Sequence, residues 1–337
     1  MEFGDCPKFR QSRPSGAGHK HMLKQRNDMR VTGIQFSCEE SKEQNLSKAE
    51  ELISSAVKQH QPQLVCLQEL FTTRYFPSQF DYSFFDLAER IPGPTTERMA
   101  RIAKHHGVYI IAPIYEEAEP NLYFNSAPLI SPDGKILGVY RKIHIPLFDY
   151  TLEDETNGEK RHISSYEKFY YVGGNDVPIF DTEIGKIGVL ICWDNEFPEL
   201  WRLLEMKGVE FVFSPYAMSR PSGEFYKEQW LFEARCCAYY FTTYVMKVNR
   251  VGPEGDMVYR GKSIAIDPTG QLIAGPASEN QDDILCADLD LEKIRELRNK
   301  RPRLMNRRPE VYKQLSEPLA RMENIFMGEP SIHGKPT

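Results

Sequence analysis

The sequence predicts a mixed α/β sandwich, and three observations carry that prediction. Short β-branched apolar runs recur along the chain, segments with helical period lie between them, and two Pro-centred turns join strand pairs into hairpins. Helix crossovers and antiparallel pairs are therefore mixed, which places the chain in the α/β or α+β classes. A chain of 337 residues, 41% hydrophobic and 27% charged, has ordinary globular composition with room for one large or two modest domains.

The elements follow in order. Val31 to Phe36 reads as a strand, Lys48 to His60 as a helix with Ala49, Leu52, Ile53, Ala56 and Val57 on one face, and Leu64 to Leu67 as a second buried strand. Thr95-Thr96 caps a helix over 96–106, Gly107 stops it, and Val108 to Ile114 is the next strand. Tyr123 to Ile130, the turn Ser131-Pro132-Asp133-Gly134 and Lys135 to Tyr140 form a hairpin. The stretch between Tyr150 and Ser165 is acidic and aperiodic and reads as a loop placed to shape or cover a pocket. Lys186 to Ile191 is a strand, and Pro198 opens a helix carrying Leu200, Leu203 and Leu204. Phe211 to Ser214 is a strand, Phe225 to Tyr240 a helix, Thr242 to Val248 a strand, and Tyr259 to Ala274 a second hairpin around Asp267-Pro268-Thr269-Gly270. Ile284 to Leu289 and a charged helix from Leu291 to Lys300 complete the pattern.

Residues 1–28 are polar and basic and read as a disordered leader; 29–300 read as a single domain and 301–337 as a C-terminal extension that either contacts another copy or lies disordered. The formal net charge of -6 argues against nucleic acid or an anionic membrane as the main partner. The basic cluster from Arg295 to Arg308 reads as a solvated helix and arm. Seven scattered cysteines lack zinc spacing, so neither a disulfide framework nor a structural metal is indicated, and a reduced, cytoplasmic setting is expected.

Three apolar strands run into chemistry. Leu64 to Gln68 leads to Glu69, Val139-Tyr140-Arg141 to Lys142, and Val189-Leu190-Ile191 to Cys192. Ligands of open α/β sheets gather outside strand ends, so a base, a cation and a nucleophile converging there form a candidate site. Cys192 lies on a strand-to-helix elbow, where unpaired N–H groups and the helix dipole would favour a thiolate. Taken singly, each residue has a plainer explanation: an inert core thiol, a capping acid, a solvated lysine.

With those residues in view, the chain resembles the nitrilase superfamily, the carbon-nitrogen hydrolases with a Glu-Lys-Cys set. The matching segments are Leu67-Gln68-Glu69-Leu70, Tyr140 to Pro146 and Ile191-Cys192-Trp193-Asp194, supported by Tyr123-Phe124-Asn125-Ser126, Glu167 to Tyr171 and Asn249-Arg250-Val251-Gly252. The resemblance implies a four-layer αββα sandwich, no cofactor, and a homodimer or larger homo-oligomer. It implies Glu69 as general base and acid, Cys192 as nucleophile, Lys142 with the Trp193 backbone N–H as oxyanion partners, and Glu167 as the glutamate that orients lysine or substrate.

Asp194 after Trp193 favours amide or ureido substrates over nitriles within that resemblance. Asn195 and Glu196 stand where relatives acting on N-carbamoyl-D-amino acids carry arginines, so a neutral or cationic small molecule is expected. The segment looks most like N-carbamoylputrescine amidases. Arg220 could instead receive a carboxylate, which keeps open omega-amide, aliphatic amide and N-carbamoyl amino acid substrates. His144 and Tyr75 are further candidates for substrate contact, with core packing as the plainer reading of both. Two other classes remain: a Cys-His hydrolase using His105, His106 or His144, and a noncatalytic scaffold of the same fold.

Overall fold

The computed structural model describes residues 29–153, 157–219 and 223–316. In chain order its elements are β1 (Met29–Gln35), α1 (Lys42–His60), β2 (Leu64–Leu67), α2 (Pro94–His106), β3 (Tyr109–Ile111), β4 (Ile114–Glu119), β5 (Leu122–Ile130), β6 (Ile136–Arg141), β7 (Phe148–Glu153), β8 (Lys160–Ser165) and α3 (Glu167–Tyr170). The second half adds β9 (Phe180–Thr182), β10 (Gly185–Val189), α4 (Pro198–Met206), β11 (Phe211–Pro215), α5 (Glu224–Phe241), β12 (Tyr244–Val248), β13 (Val251–Glu254), β14 (Met257–Arg260), β15 (Ile264–Ile266), β16 (Leu272–Ala274), β17 (Asp283–Leu289) and α6 (Leu291–Lys300).

One sheet runs β17-β1-β2-β3-β5-β4, with β6 also on β5; the other runs β16-β15-β12-β11-β10-β9. β1, β2 and β3 are mutually parallel, as are β10, β11 and β12. Alternation along each strand sorts side chains between two cores. Val31, Leu64 and Cys66 join Ile187, Val189, Phe211 and Phe213 between the sheets. Ile34, Val65, Leu67 and Ile110 turn outward onto Ala49 and Ile53 of α1 and Met99 and Ile102 of α2. Leu200, Trp201, Trp230 and Ala234 of α4 and α5 cover the second sheet, giving the four-layer αββα sandwich. The sheets approach so closely at Gly33 that an added Cβ would lie 2.7 Å from Val248.

Most elements fall where periodicity puts them, with four differences. The stretch read as a loop is the β7–β8 hairpin, because Phe148, Tyr150 and Leu152 alternate with the polar residues that dominate its composition. The expected strand over 259–267 is divided: Tyr259 belongs to a separate β13–β14 hairpin, and positive φ at Gly261 and Lys262 breaks the chain before β15. α1 begins at Lys42, capped by Ser41, ahead of the first apolar residues of the face. Finally, Arg298 and Arg303 of the basic cluster are not simply solvated. Both donate to carbonyls at the end of α5, Arg298 to Thr242 and Arg303 to Tyr239 and Tyr240, where cations favour a helix C-terminus.

Candidate active site

Glu69 follows β2 by two residues, Lys142 follows β6 directly, and Cys192 opens a 3-10 turn just beyond β10. Two of these junctions hold non-glycine residues in the left-handed region: Leu70 at φ 50° and Cys192 at φ 45°. Such conformations cost about 1–3 kcal/mol and persist only when surrounding bonds fix them. Behind Leu70 the clamp is Arg250, fully buried, whose Nη2 donates to the carbonyls of Glu69 at 2.8 Å and Leu70 at 3.0 Å. Its charge is balanced by Glu254 at 2.5 Å, which also accepts from the Tyr75 backbone N–H at 2.6 Å.

The Lys142 ammonium lies in a carboxylate cage. Nζ donates to Glu69 Oε1 at 2.9 Å and to both Glu167 oxygens at 2.8 Å, with all three side chains fully buried. Burial alone would lower the lysine's pKa, but Glu167 and Glu69 outweigh it and hold the value raised, so the cation persists. Burial, with repulsion from Glu69, pushes Glu167 up to about 7 against the pull of Lys142. Tyr75 OH donates to Glu167 Oε1 at 2.6 Å, and Asn125 Nδ2 donates to Glu69 Oε1 at 2.8 Å. Both bonds to the Glu69 carboxylate thus fall on one oxygen. Its buried Oε2 has no hydrogen-bond partner among the described residues and is the oxygen open to take a proton.

Cys192 is the thiol in this field. Burial first, then Glu69 and Glu167, raise its pKa well above the ordinary value, while Lys142 and a backbone hydrogen bond from Ala217 pull it down. The thiolate expected from the elbow is therefore not the resting form. A short 3-10 turn offers a weak dipole, and two nearby carboxylates oppose the anion. A neutral thiol beside an open carboxylate oxygen suits proton transfer during attack.

Other members of the matching segments hold these parts in register. Asp194, fully buried, accepts from Tyr140 OH at 2.6 Å, from the His144 backbone N–H at 2.8 Å and from the Ile143 N–H at 3.2 Å, tying the cysteine turn to the lysine strand. Asn249 brackets Met218, accepting from its N–H at 2.9 Å and donating to its carbonyl at 3.1 Å, which fixes the segment that touches the thiol. Asn249 and Arg250 form a quoted motif, but its bonding pattern emerges only on folding.

The site opens into a cavity of about 60 Å³ lined by Tyr75, Glu167, Cys192, Trp193 and Glu196, with hairpin side chains, Met218 and Met257 completing the wall. His144 and Asn195 are not among the lining residues. The His144 ring stacks on Phe197 with centroids 3.4 Å apart and pairs with Asp194 at 3.0 Å. Asn195 bonds the Cys192 carbonyl at 2.9 Å and Ser214 Oγ at 2.8 Å, bracing the elbow instead. Arg220 lies outside the described residues. Among the described residues, no group of His, Cys, Asp or Glu is placed to hold a metal ion, and no helix is long and apolar enough to cross a membrane.

This sandwich, with a thiol, an open carboxylate and a caged ammonium at its strand ends, defines the class: a carbon-nitrogen hydrolase fold of the nitrilase superfamily. The chain belongs to the carbon-nitrogen hydrolase family, whose model matches residues 30–299. It is similar to the N-carbamoylputrescine amidase of Solanum lycopersicum, 34% identical over 299 residues, covering 85% of this chain and 94% of that one. The omega-amidase NIT2 of Xenopus tropicalis is 32% identical, covering 84% and 96%. A crystal structure of a carbon-nitrogen hydrolase from Helicobacter pylori G27 superimposes with a TM-score of 0.77 at 31% identity, covering 87% of this chain and 99% of that one.

Proposed function

We propose that this hydrolase cleaves the ureido bond of an N-carbamoyl amine, releasing ammonia, carbon dioxide and the amine. The observation that carries the reading is similarity to an N-carbamoylputrescine amidase, 34% identical over 299 residues. The described part of the cavity wall, which includes Glu167 and Glu196 and neither lysine nor arginine, is compatible with a neutral or cationic tail.

In this reading Cys192 Sγ attacks the ureido carbon as Glu69 Oε2 takes the thiol proton. Lys142 and the Trp193 backbone N–H stabilise the oxyanion, and Glu167 with Tyr75 holds the lysine in place. Glu69 returns its proton to departing ammonia, leaving a thiocarbamoyl ester on Cys192. Water, deprotonated by Glu69, then attacks that carbon; Cys192 leaves as a thiol, and the carbamate loses carbon dioxide to give the amine.

The test is ammonia release from a panel of N-carbamoyl amines, N-carbamoyl amino acids, primary amides and nitriles, with wild type and Cys192→Ala. Turnover of N-carbamoyl amines above the other classes, abolished in Cys192→Ala, is expected; ammonia only from nitriles contradicts the reading. Preference for amides would select the second reading, omega- or aliphatic amidase, which similarity to an omega-amidase favours. We also propose a cytoplasmic homodimer or larger homo-oligomer. Exposed Leu203, Met206, Phe232 and Tyr240 on the outer helices support self-association.

A further inference from the structure

The volume at Cys192 is far too small for a whole substrate. Ligand pockets commonly span roughly 300–1,000 Å³, whereas this cavity measures about 60 Å³, room for the reacting carboxamide or ureido group alone. Whatever is attached to that group must lie against the cavity's mouth, and the β7–β8 hairpin forms much of that mouth.

The hairpin is two-faced. Its register pairs Phe148 with Ser165 and Tyr150 with Ile163, and residues opposed in this way share one face with Leu152. Phe148, Tyr150, Leu152 and Ile163 all line the cavity. The other face carries charge: Lys160 pairs with Glu153 at 3.0 Å and His162 with Asp149 at 3.5 Å. Bonds that fasten the hairpin to the body include Arg260 to Glu159 at 2.5 Å, Tyr226 OH to the Glu153 carbonyl at 3.3 Å, Ser164 Oγ to the Ser78 carbonyl at 2.9 Å, and the Tyr166 N–H to the Pro77 carbonyl at 2.7 Å. The apolar strip is nonetheless not sealed. Tyr150 is 44% exposed and Phe148 half-buried, with its ring 5.7 Å from Trp193. A fixed apolar strip, open beside a narrow reaction chamber, is a surface suited to an apolar segment.

We infer that the hairpin is the recognition element for the substrate tail. Phe148, Tyr150 and Leu152 take an apolar body, a chain of several methylenes or a ring, attached to the scissile group. The tail leaves the cavity along β7, and its burial replaces water on the exposed part of Tyr150 and Phe148. The inference requires carbon-nitrogen hydrolysis but not the ureido choice, so it stands or falls separately from the preceding reading.

Two homologous series, straight-chain primary amides and N-carbamoyl alkylamines, test it through kcat/KM as methylenes are added. Wild type is expected to gain about fourfold per methylene buried, the factor set by hydrophobic transfer, until the strip is covered. Tyr150→Ser with Leu152→Ser should flatten that dependence, chiefly through KM, while the conservative pair Tyr150→Phe with Leu152→Met keeps it. Thermal melts of both variants establish that each is folded. Turnover of amides alone would end the ureido reading and leave the hairpin test intact. An equal chain-length dependence in wild type and the serine pair, no dependence in wild type, or no turnover of either series overturns the inference.

Discussion

At the residue scale the chemistry rests on an asymmetry at Glu69. Lys142 and Asn125 occupy Oε1, and Oε2 is open. Glu69→Gln keeps the shape and removes the base, so kcat should fall by about 10²–10⁴, the usual share of general acid-base catalysis, with little change in the melting temperature. Glu167 adds a pH signature. Its folded value of about 7 exceeds the ordinary 4.5, so folding binds this proton more tightly. The resulting stabilisation is complete below about pH 4.5 and is lost as pH rises through about 7. Denaturant unfolding should therefore show wild type losing stability relative to Glu167→Gln between pH 5 and pH 8, by up to about 3 kcal/mol. On the acid side of about 7 the protonated carboxyl holds Lys142 less firmly, so kcat/KM should also decline there. Glu69, Lys142 and Cys192 are legible in the sequence because each follows an apolar strand. The thiol's protonation is not, since it depends on Glu167 and Glu69, which precede Cys192 by 25 and 123 residues and reach it only through the fold.

At the element scale, strained junctions are fixed by buried polar clamps. Arg250→Met would leave Glu254 buried without its partner and release the Leu70 turn, costing about 3–5 kcal/mol. Arg250→Met combined with Glu254→Leu should recover much of that stability but not the activity; chemical denaturation and ammonia release separate the two effects. Asp194→Asn weakens the tie between the Cys192 turn and the lysine strand, and a loss of about 2–3 kcal/mol with reduced kcat is expected. Sequence periodicity finds strands and helices well and these clamps poorly. The β7–β8 hairpin shows why: Asp149, Thr151 and Glu153 mask the apolar alternation of Phe148, Tyr150 and Leu152, and the inward face becomes visible only when β8 pairs with it. Likewise Gly261 and Lys262 break a run that apolar composition alone reads as continuous.

At the scale of the whole molecule, two sheets pressed face to face bring three strand ends to one place. Gly33 marks how close that packing is. An alanine there would meet Val248 at 2.7 Å and Met246 at 3.1 Å, so Gly33→Ala should destabilise the fold by about 1–3 kcal/mol, read by urea unfolding. The alternation of strands and helices makes the sandwich legible, because each apolar face needs a partner layer. The cavity's small volume is not legible, since it is the sum of side chains from β7, β8, the cysteine turn and the segment from Met218.

The most direct test of the central claim is mass spectrometry of the Cys192 peptide after acid quench during turnover of an N-carbamoyl amine. The expected mass is that of a substituted thiocarbamoyl group on Cys192, in greater yield from Glu69→Gln supplied with an activated substrate. Continued turnover by Cys192→Ala, or a substrate-derived adduct on any other residue, would contradict it.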